Sequence, residues 1–138
     1  IVLPNGTVWG QTIKNYATNP TRRVDLVMGI SYDDDIGKAM ETINRAKGDR
    51  LYGVMTAHPD FYRCPVEPAS RSYMNVVFRL PSEELEAQFV AEGKAAGMVG
   101  LKGHRSVGGM RASIYNAMPE AGVAALVDFM REFERTRG

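Results

Sequence analysis

The spacing of apolar residues changes repeatedly along this 138-residue chain, and that change constrains the fold more than any other feature. Three segments carry apolar side chains at every second position, the period of a strand with one buried face, namely residues 24–30, 74–80 and 110–116. Three others carry them every third or fourth position, the period of an amphipathic helix, namely residues 36–43, 85–96 and 123–133. The pattern therefore predicts alternating strands and helices, without an internal repeat.

Residues that favour helix ends bound the helical segments. The three aspartates at 33–35 lie where the helix dipole favours negative charge, and Ser82 stands at an N-cap position. Gly97 is placed to end the second helix, and Pro119 to begin the third. A calcium loop needs spaced oxygen ligands around a turn glycine, which does not follow the aspartates, so we expect helix capping and no metal site.

The order of elements from residue 24 onward predicts an α+β domain. A short strand at 99–102 is expected to form a hairpin with residues 110–116, across a turn at 106–109. The sheet is then mostly antiparallel with helices packed on one face, as in ferredoxin-like folds. We expect Ile36, Met40 and Ile43 to cover this sheet, and residues 21–138 to form a single domain.

Residues 1–20 predict a β-hairpin ahead of this domain. Asn5 and Gly6 supply the positive backbone angles of a tight turn, and Pro20 ends the segment because it lacks an amide donor. An unpaired hairpin exposes strand edges. We therefore expect it either to form a homo-oligomer by pairing with another copy or to lie across the domain.

Composition excludes several classes of partner. The 17 basic and 16 acidic residues give a net charge of +1, which provides no broad attraction for nucleic acid or an anionic membrane. No stretch approaches the roughly 20 apolar residues of a membrane span, so we expect no membrane insertion. Cys64 is the single cysteine, and the chain shows no secretory signal. We therefore expect a cytoplasmic protein without a disulfide.

Three short segments in the first third carry a family resemblance, at residues 2–6, 19–23 and 29–36. Residues 1–41 resemble the cytoplasmic β and α/β region of small-conductance mechanosensitive channels. In that family the pore is a transmembrane helix upstream of this region, and nothing in this chain corresponds to it. The resemblance implies a channel-like segment that ends at a junction near residues 41–50.

A longer string at residues 101–119, with residues 71–76 and 128–134, carries a second resemblance. From about residue 44 to the end, the chain is similar to the C-terminal domain of phosphoserine aminotransferases, which implies an aminotransferase small-domain fold. The resemblance assigns His104 and Arg105 to the substrate phosphate and Arg111 to the substrate α-carboxylate. Guanidinium groups do bind such oxygens in paired hydrogen bonds, so we expect weak binding of phosphate or carboxylate anions.

Transamination in that family requires pyridoxal phosphate, held on a lysine of the large domain. None of the five lysines of this chain lies in a segment resembling the cofactor-lysine motif: Lys14, Lys38, Lys47, Lys94 and Lys102. We therefore expect no catalytic residue, no cofactor-binding residue and no bound cofactor in this chain.

These observations leave three hypotheses open. The first, which we favour from sequence, is a noncatalytic chimeric α+β domain with neither a complete active site nor a pore. The second is a fragment of a phosphoserine aminotransferase, a pyridoxal-phosphate-dependent enzyme of serine biosynthesis. The third is a cytoplasmic oligomerisation part of a mechanosensitive channel.

Overall fold

The computed structural model describes residue 31 and residues 33–138. The hairpin predicted at 1–20 and the strand predicted at 24–30 lie outside the described residues. Five elements follow in the order α1 (Ile36–Ala57), β1 (Asn75–Phe78), α2 (Glu83–Ala95), β2 (Met110–Ser113) and α3 (Glu120–Arg137), with a 3₁₀ turn at Pro68–Ser70. In this part of the chain, no helix combines the length and apolar composition that crossing a membrane requires.

The two strands form an antiparallel sheet, which confirms the α+β class for the described residues. Asn75 pairs with Ser113 at one end and Phe78 with Met110 at the other. The predicted strand at 99–102 is reduced to a single bridge between Lys102 and Met110. Gly100 has a φ of +79°, which is outside the range of a β-strand and so interrupts the segment. The neighbouring Val99 side chain is 73% exposed and does not pack on the sheet. The described sheet is therefore smaller than predicted.

The predicted helix ends are confirmed at atomic detail. The Asp35 carboxylate accepts a hydrogen bond from the Lys38 amide at 3.1 Å, and the Ser82 hydroxyl accepts one from the Leu85 amide at 3.3 Å. After α2, Gly97 has a φ of +86°, and its amide donates to the Lys94 carbonyl at 3.0 Å. Local chemistry thus fixes where α1 and α2 begin and where α2 stops.

A cluster of aromatic rings lies at the centre of the core. Phe89 of α2 is fully buried, with ring centroids 5.6 Å from Phe78 of β1 and 5.1 Å from Phe133 of α3. Tyr62, from the connection between α1 and β1, packs edge-on against Phe78 at 5.7 Å. The apolar stripe predicted for α3 is buried throughout, at Val123, Leu126, Val127, Met130 and Phe133.

The prediction that Ile36 and Met40 cover the sheet is wrong, whereas Ile43 is half-buried. Ile36 is 66% exposed and Met40 41% exposed, whereas the buried face of α1 begins at Asn44. The reason is length, because a 22-residue helix extends about 33 Å whereas a four-residue strand extends about 13 Å. The first turns of α1 therefore run past the sheet, and the buried face of the helix, which packs in the domain with β1 and α3, begins at Asn44.

Two buried polar side chains on α1 hold the turn that leads into α3. Lys47 is 1% exposed, and its ammonium donates to the carbonyls of Tyr115 at 2.8 Å, Asn116 at 3.4 Å and Met118 at 3.1 Å. One turn earlier, the Asn44 amide donates to the side-chain oxygen of Asn116. Burial lowers the pKa of the Lys47 ammonium, and the Glu120 carboxylate partly offsets this effect.

The buried hydroxyl of Tyr62 predicts a loss of stability at alkaline pH. It donates to the Met130 carbonyl at 2.7 Å, and burial, with the Glu134 carboxylate, raises the pKa of Tyr62 well above its ordinary value of 10. Burial likewise raises the pKa of Tyr52 to about 12. Because the pKa of Tyr62 is higher in the folded chain than in the unfolded chain, its contribution to the free energy of unfolding is complete below pH 10. This contribution is lost as the pH rises above 10.

We expect Tyr62→Phe to lower the free energy of unfolding near neutral pH by about 1 kcal/mol and to weaken its decline above pH 10. Urea unfolding at pH 8 and pH 11 measures both effects. Tyr115→Phe is the matched control, because Tyr115 is 52% exposed and should leave the alkaline decline unchanged. An identical pH dependence in the parent chain and in Tyr62→Phe would contradict the assignment.

The three bonds of Lys47 predict a large effect of its removal. Lys47→Met keeps the aliphatic stem but leaves three carbonyls without their donor, so we expect the free energy of unfolding to fall by about 2–4 kcal/mol. Lys94→Met, at an exposed position of α2, should change it by less than about 0.5 kcal/mol. Equal effects of the two substitutions on urea unfolding would show that Lys47 does not hold the turn.

Candidate anion-binding site

A tight loop lies between the bridge at Lys102 and the start of β2. The Gly103 amide donates to the Gly109 carbonyl at 2.8 Å and so closes the loop. Within it, the His104 carbonyl accepts from the amides of Val107 at 3.0 Å and Gly108 at 2.8 Å. Gly108 and Gly109 have φ angles of +72° and +67°, which favour glycine over any residue with a Cβ. Three glycines therefore set the shape of this loop.

The same loop presents His104 and Arg105 to solvent. The Ser106 amide donates to Nδ1 of His104 at 3.3 Å, and the Ser106 hydroxyl lies 2.7 Å from that nitrogen. Because Nδ1 acts as an acceptor, the neutral ring carries its proton on Nε2, which is then a donor for a ligand. The guanidinium of Arg105 makes no ion pair with any residue among 33–138.

Arg111 is the second residue of β2, directly after the loop. Its backbone is fixed on both sides, because it pairs with Val77 in the sheet and its amide donates to the Leu101 carbonyl at 2.8 Å. Its Nε is buried and has no hydrogen-bond partner among the described residues. A buried donor without an acceptor costs free energy, so this nitrogen favours a ligand oxygen beside it.

Arg79 supports the loop, and sequence analysis did not single it out. Its guanidinium donates to the Val107 carbonyl and lies 4.0 Å from the Glu86 carboxylate of α2. A Cβ at Gly108 would come within 3.2 Å of Arg79, so the arginine packs closely beneath the loop. The two-residue period places Arg79 on the face of the strand opposite the buried Phe78, but it does not reveal which loop the guanidinium reaches.

The structure brings the three predicted site residues into one short stretch of chain but not into one closed pocket. His104 and Arg105 lie on the exposed loop, whereas Arg111 lines a cleft of about 530 Å³ between β2 and the start of α3. Apolar residues form most of this cleft, including Met98, Ile114 and Met118. The arrangement offers two donor groups at the loop and, beside an apolar surface, a half-buried arginine whose Nε is buried. This suits a ligand that carries two separate anionic groups.

Known proteins match most of the chain. The phosphoserine aminotransferase of Bordetella avium is 58% identical over 101 residues, which are 73% of this chain and 27% of that protein. The phosphoserine aminotransferase of Desulfosudis oleivorans is 53% identical over 117 residues, which are 83% of this chain and 32% of that protein. The chain thus spans about a quarter to a third of these relatives. No protein-family model matches it.

Solved structures show that the fold matches as well. Phosphoserine aminotransferase from Bacillus circulans subsp. alkalophilus superposes with a TM-score of 0.70 at 53% identity, covering 71% of this chain and 27% of that one. The pyridoxal-phosphate-bound phosphoserine aminotransferase of Trichomonas vaginalis superposes with a TM-score of 0.62 at 36% identity, covering 67% and 27%. Sequence and structure therefore agree on one family of relatives.

These findings overturn the hypothesis of a noncatalytic chimeric domain, which sequence analysis favoured over an aminotransferase fragment. Nothing in the comparisons supports the channel resemblance of residues 1–41. The Desulfosudis match covers 83% of the chain, whereas residues 42–138 make up about 70% of it. The match therefore also extends into residues 1–41. Over about 73% of its length, the chain is homologous to the C-terminal domain of phosphoserine aminotransferases.

Proposed function

We propose that this chain forms the part of a pyridoxal-phosphate-dependent phosphoserine aminotransferase that holds the anionic groups of the substrate, and that it serves serine biosynthesis. One observation carries the proposal. Arg111 has a buried Nε without a partner among the described residues, and it follows directly on a glycine-shaped loop that displays His104 and Arg105. The high identity to enzymes named phosphoserine aminotransferase supports the same role.

The loop is suited to a phosphate group. Nε2 of His104 and the guanidinium of Arg105 are donors at neighbouring positions, and neither is used in an ion pair within residues 33–138. Phosphate oxygens accept such bonds strongly because the guanidinium charge assists them. The hydrogen bonds from Ser106 to His104 fix the ring orientation, so the imidazole does not have to reorient when it donates.

Arg111 is suited to a carboxylate. A guanidinium binds a carboxylate best through two parallel N–H···O bonds, and Nε is one of the donors that such a pair uses. Pairing in β2 fixes the backbone of Arg111, and the apolar cleft beside it reduces competition from water. Phosphoserine carries both a phosphate and a carboxylate, which matches the two sets of donors.

The described residues do not fit pyridoxal phosphate. A lysine that holds this cofactor needs a free amine in a pocket, but the Lys47 amine is occupied by three carbonyls. The remaining lysines of the described part are exposed: Lys38, Lys94 and Lys102. Neither described cleft is lined by a lysine. We therefore assign substrate binding, and not cofactor binding, to residues 33–138.

Titration with phosphoserine tests this assignment. We expect amide signals of residues 103–111 to shift with a Kd of roughly millimolar order, because two charge-assisted contacts act in an open site. Serine, which lacks the phosphate, should shift signals near Arg111 but not those near His104. Raising the salt concentration should weaken phosphoserine binding, since exposed charges are screened.

Matched variants separate specific binding from general attraction. Arg105→Ala and Arg111→Ala should each raise the Kd for phosphoserine by about tenfold, as for one lost charge-assisted contact. Arg131 of α3 has a side chain that is 65% exposed. Arg131→Ala removes the same charge there and should leave the Kd unchanged. Shifts that are absent, or that persist unchanged in both loop and strand variants, would refute the proposal.

The shape of the loop gives a second prediction. A Cβ at Gly103 would overlap the Gly108 carbonyl oxygen, so Gly103→Ala must open the loop. We expect the Kd for phosphoserine to rise about tenfold in this variant, although His104, Arg105 and Arg111 are all retained. Gly53→Ala, where a Cβ meets nothing within 4 Å, is the control and should bind as the parent does. Unchanged binding by Gly103→Ala would show that loop geometry is irrelevant.

A further inference from the structure

A second cleft, of about 410 Å³, is formed by residues that precede the loop site in the sequence, from the end of α1 and the connection that follows it. Its walls include Met55, Pro59 and Tyr62, which are apolar or present an apolar ring. The hydroxyl of Tyr62 is directed to the Met130 carbonyl and is unavailable to the cleft. The cleft shares no lining residue with the one beside Arg111.

Two arginines give this cleft a positive character. Arg63 and Arg71 both line it, and neither forms an ion pair with a carboxylate of residues 33–138. Arg71 is held in place, since its Nε donates to the Val66 carbonyl at 3.4 Å and its guanidinium carbon lies 4.8 Å from the Tyr52 ring centroid. A stacked guanidinium keeps its outer N–H groups in a fixed plane, ready for a planar anion.

We propose that this cleft is a binding site for a small organic carboxylate, separate from the substrate-binding residues. The two guanidinium groups of Arg63 and Arg71 hold the carboxylate, and the surfaces of Met55 and Pro59 contact its apolar part. The cleft volume of about 410 Å³ lies in the range of small-molecule sites. This site does not depend on the role proposed for His104, Arg105 and Arg111.

Cys64 provides a reporter inside the cleft, because it lines the wall and is the single cysteine of the chain. Iodoacetate and iodoacetamide both alkylate a thiolate by displacing iodide, forming a carbon–sulfur bond, with the thiol proton lost to solvent. They differ in carrying a carboxylate or a neutral amide. The ratio of their rates therefore measures attraction for a carboxylate and cancels the effects of thiol exposure and thiolate fraction.

We expect this ratio at Cys64 to exceed that of a free cysteine amide by about tenfold, because two nearby positive charges attract the anionic reagent. Arg63→Gln should lower the ratio most of the way to that of the free cysteine amide, because it removes one of the two charges. The exposed Arg63 side chain makes no hydrogen bond to the described residues, so the substitution should break no contact among them. Arg71→Lys keeps the charge and should lower it only in part. Arg131→Gln, with the same loss of charge on α3, should leave it unchanged.

A direct titration completes the test. Succinate should shift the amide signals of Arg63, Cys64 and Arg71 in the parent chain, and it should slow alkylation by iodoacetate. The shifts should vanish in Arg63→Gln, whose thermal unfolding is expected to match that of the parent. A rate ratio equal to that of the free thiol, or an absence of succinate shifts, would overturn the proposal, whether or not phosphoserine binds at the loop.

Discussion

Contact between the rings of Phe89, Phe78 and Tyr62 connects parts of the chain that are far apart in sequence. Phe89 belongs to α2, Phe78 to β1 and Tyr62 to the connection after α1, and their centroids lie 5.6–6.3 Å apart. Phe133 adds α3 to the same cluster. Edge-to-face packing of buried rings stabilises the fold by more than the hydrophobic free energy of the area that it removes from water. The two strands in the described part of the chain have four residues each, and such a pair is not stable alone, so these strands depend on this cluster for their position.

Both clefts border on this core, and that explains how short irregular segments keep a defined shape. The connection at residues 59–71 is held by Tyr62 in the aromatic cluster and by the paired backbone of Arg63 and Arg79. The loop at 103–109 is held by Arg79, which directly follows β1. Arg79 therefore joins the two regions, with its backbone bonded to one and its side chain to the other.

Periodicity and end chemistry predicted much of the fold, because they depend on neighbours in sequence. The caps at Asp35 and Ser82 and the buried stripe of α3 are of this kind. The exposure of Ile36 could not be predicted, because apolar spacing shows which face of a helix is apolar but not how far the sheet beside it extends. The candidate site residues lie on one loop and the strand after it because they are close in sequence. Arg79, which holds the loop, lies 28 residues before its partner Val107. A contact between residues so far apart produces no pattern in the local sequence.

The ammonium of Lys47 and the Nε of Arg111 are both buried, but they differ in their hydrogen-bond partners. The Lys47 ammonium has three carbonyl partners, so its burial is compensated within the folded chain and stabilises one turn. The Nε of Arg111 is also buried, yet the described residues leave it without an acceptor. Strand pairing and the Leu101 carbonyl hold the Arg111 backbone, which fixes the point from which the side chain extends. The folded domain therefore keeps a donor whose burial costs free energy, and in the proposed role an anion beside it would offset that cost.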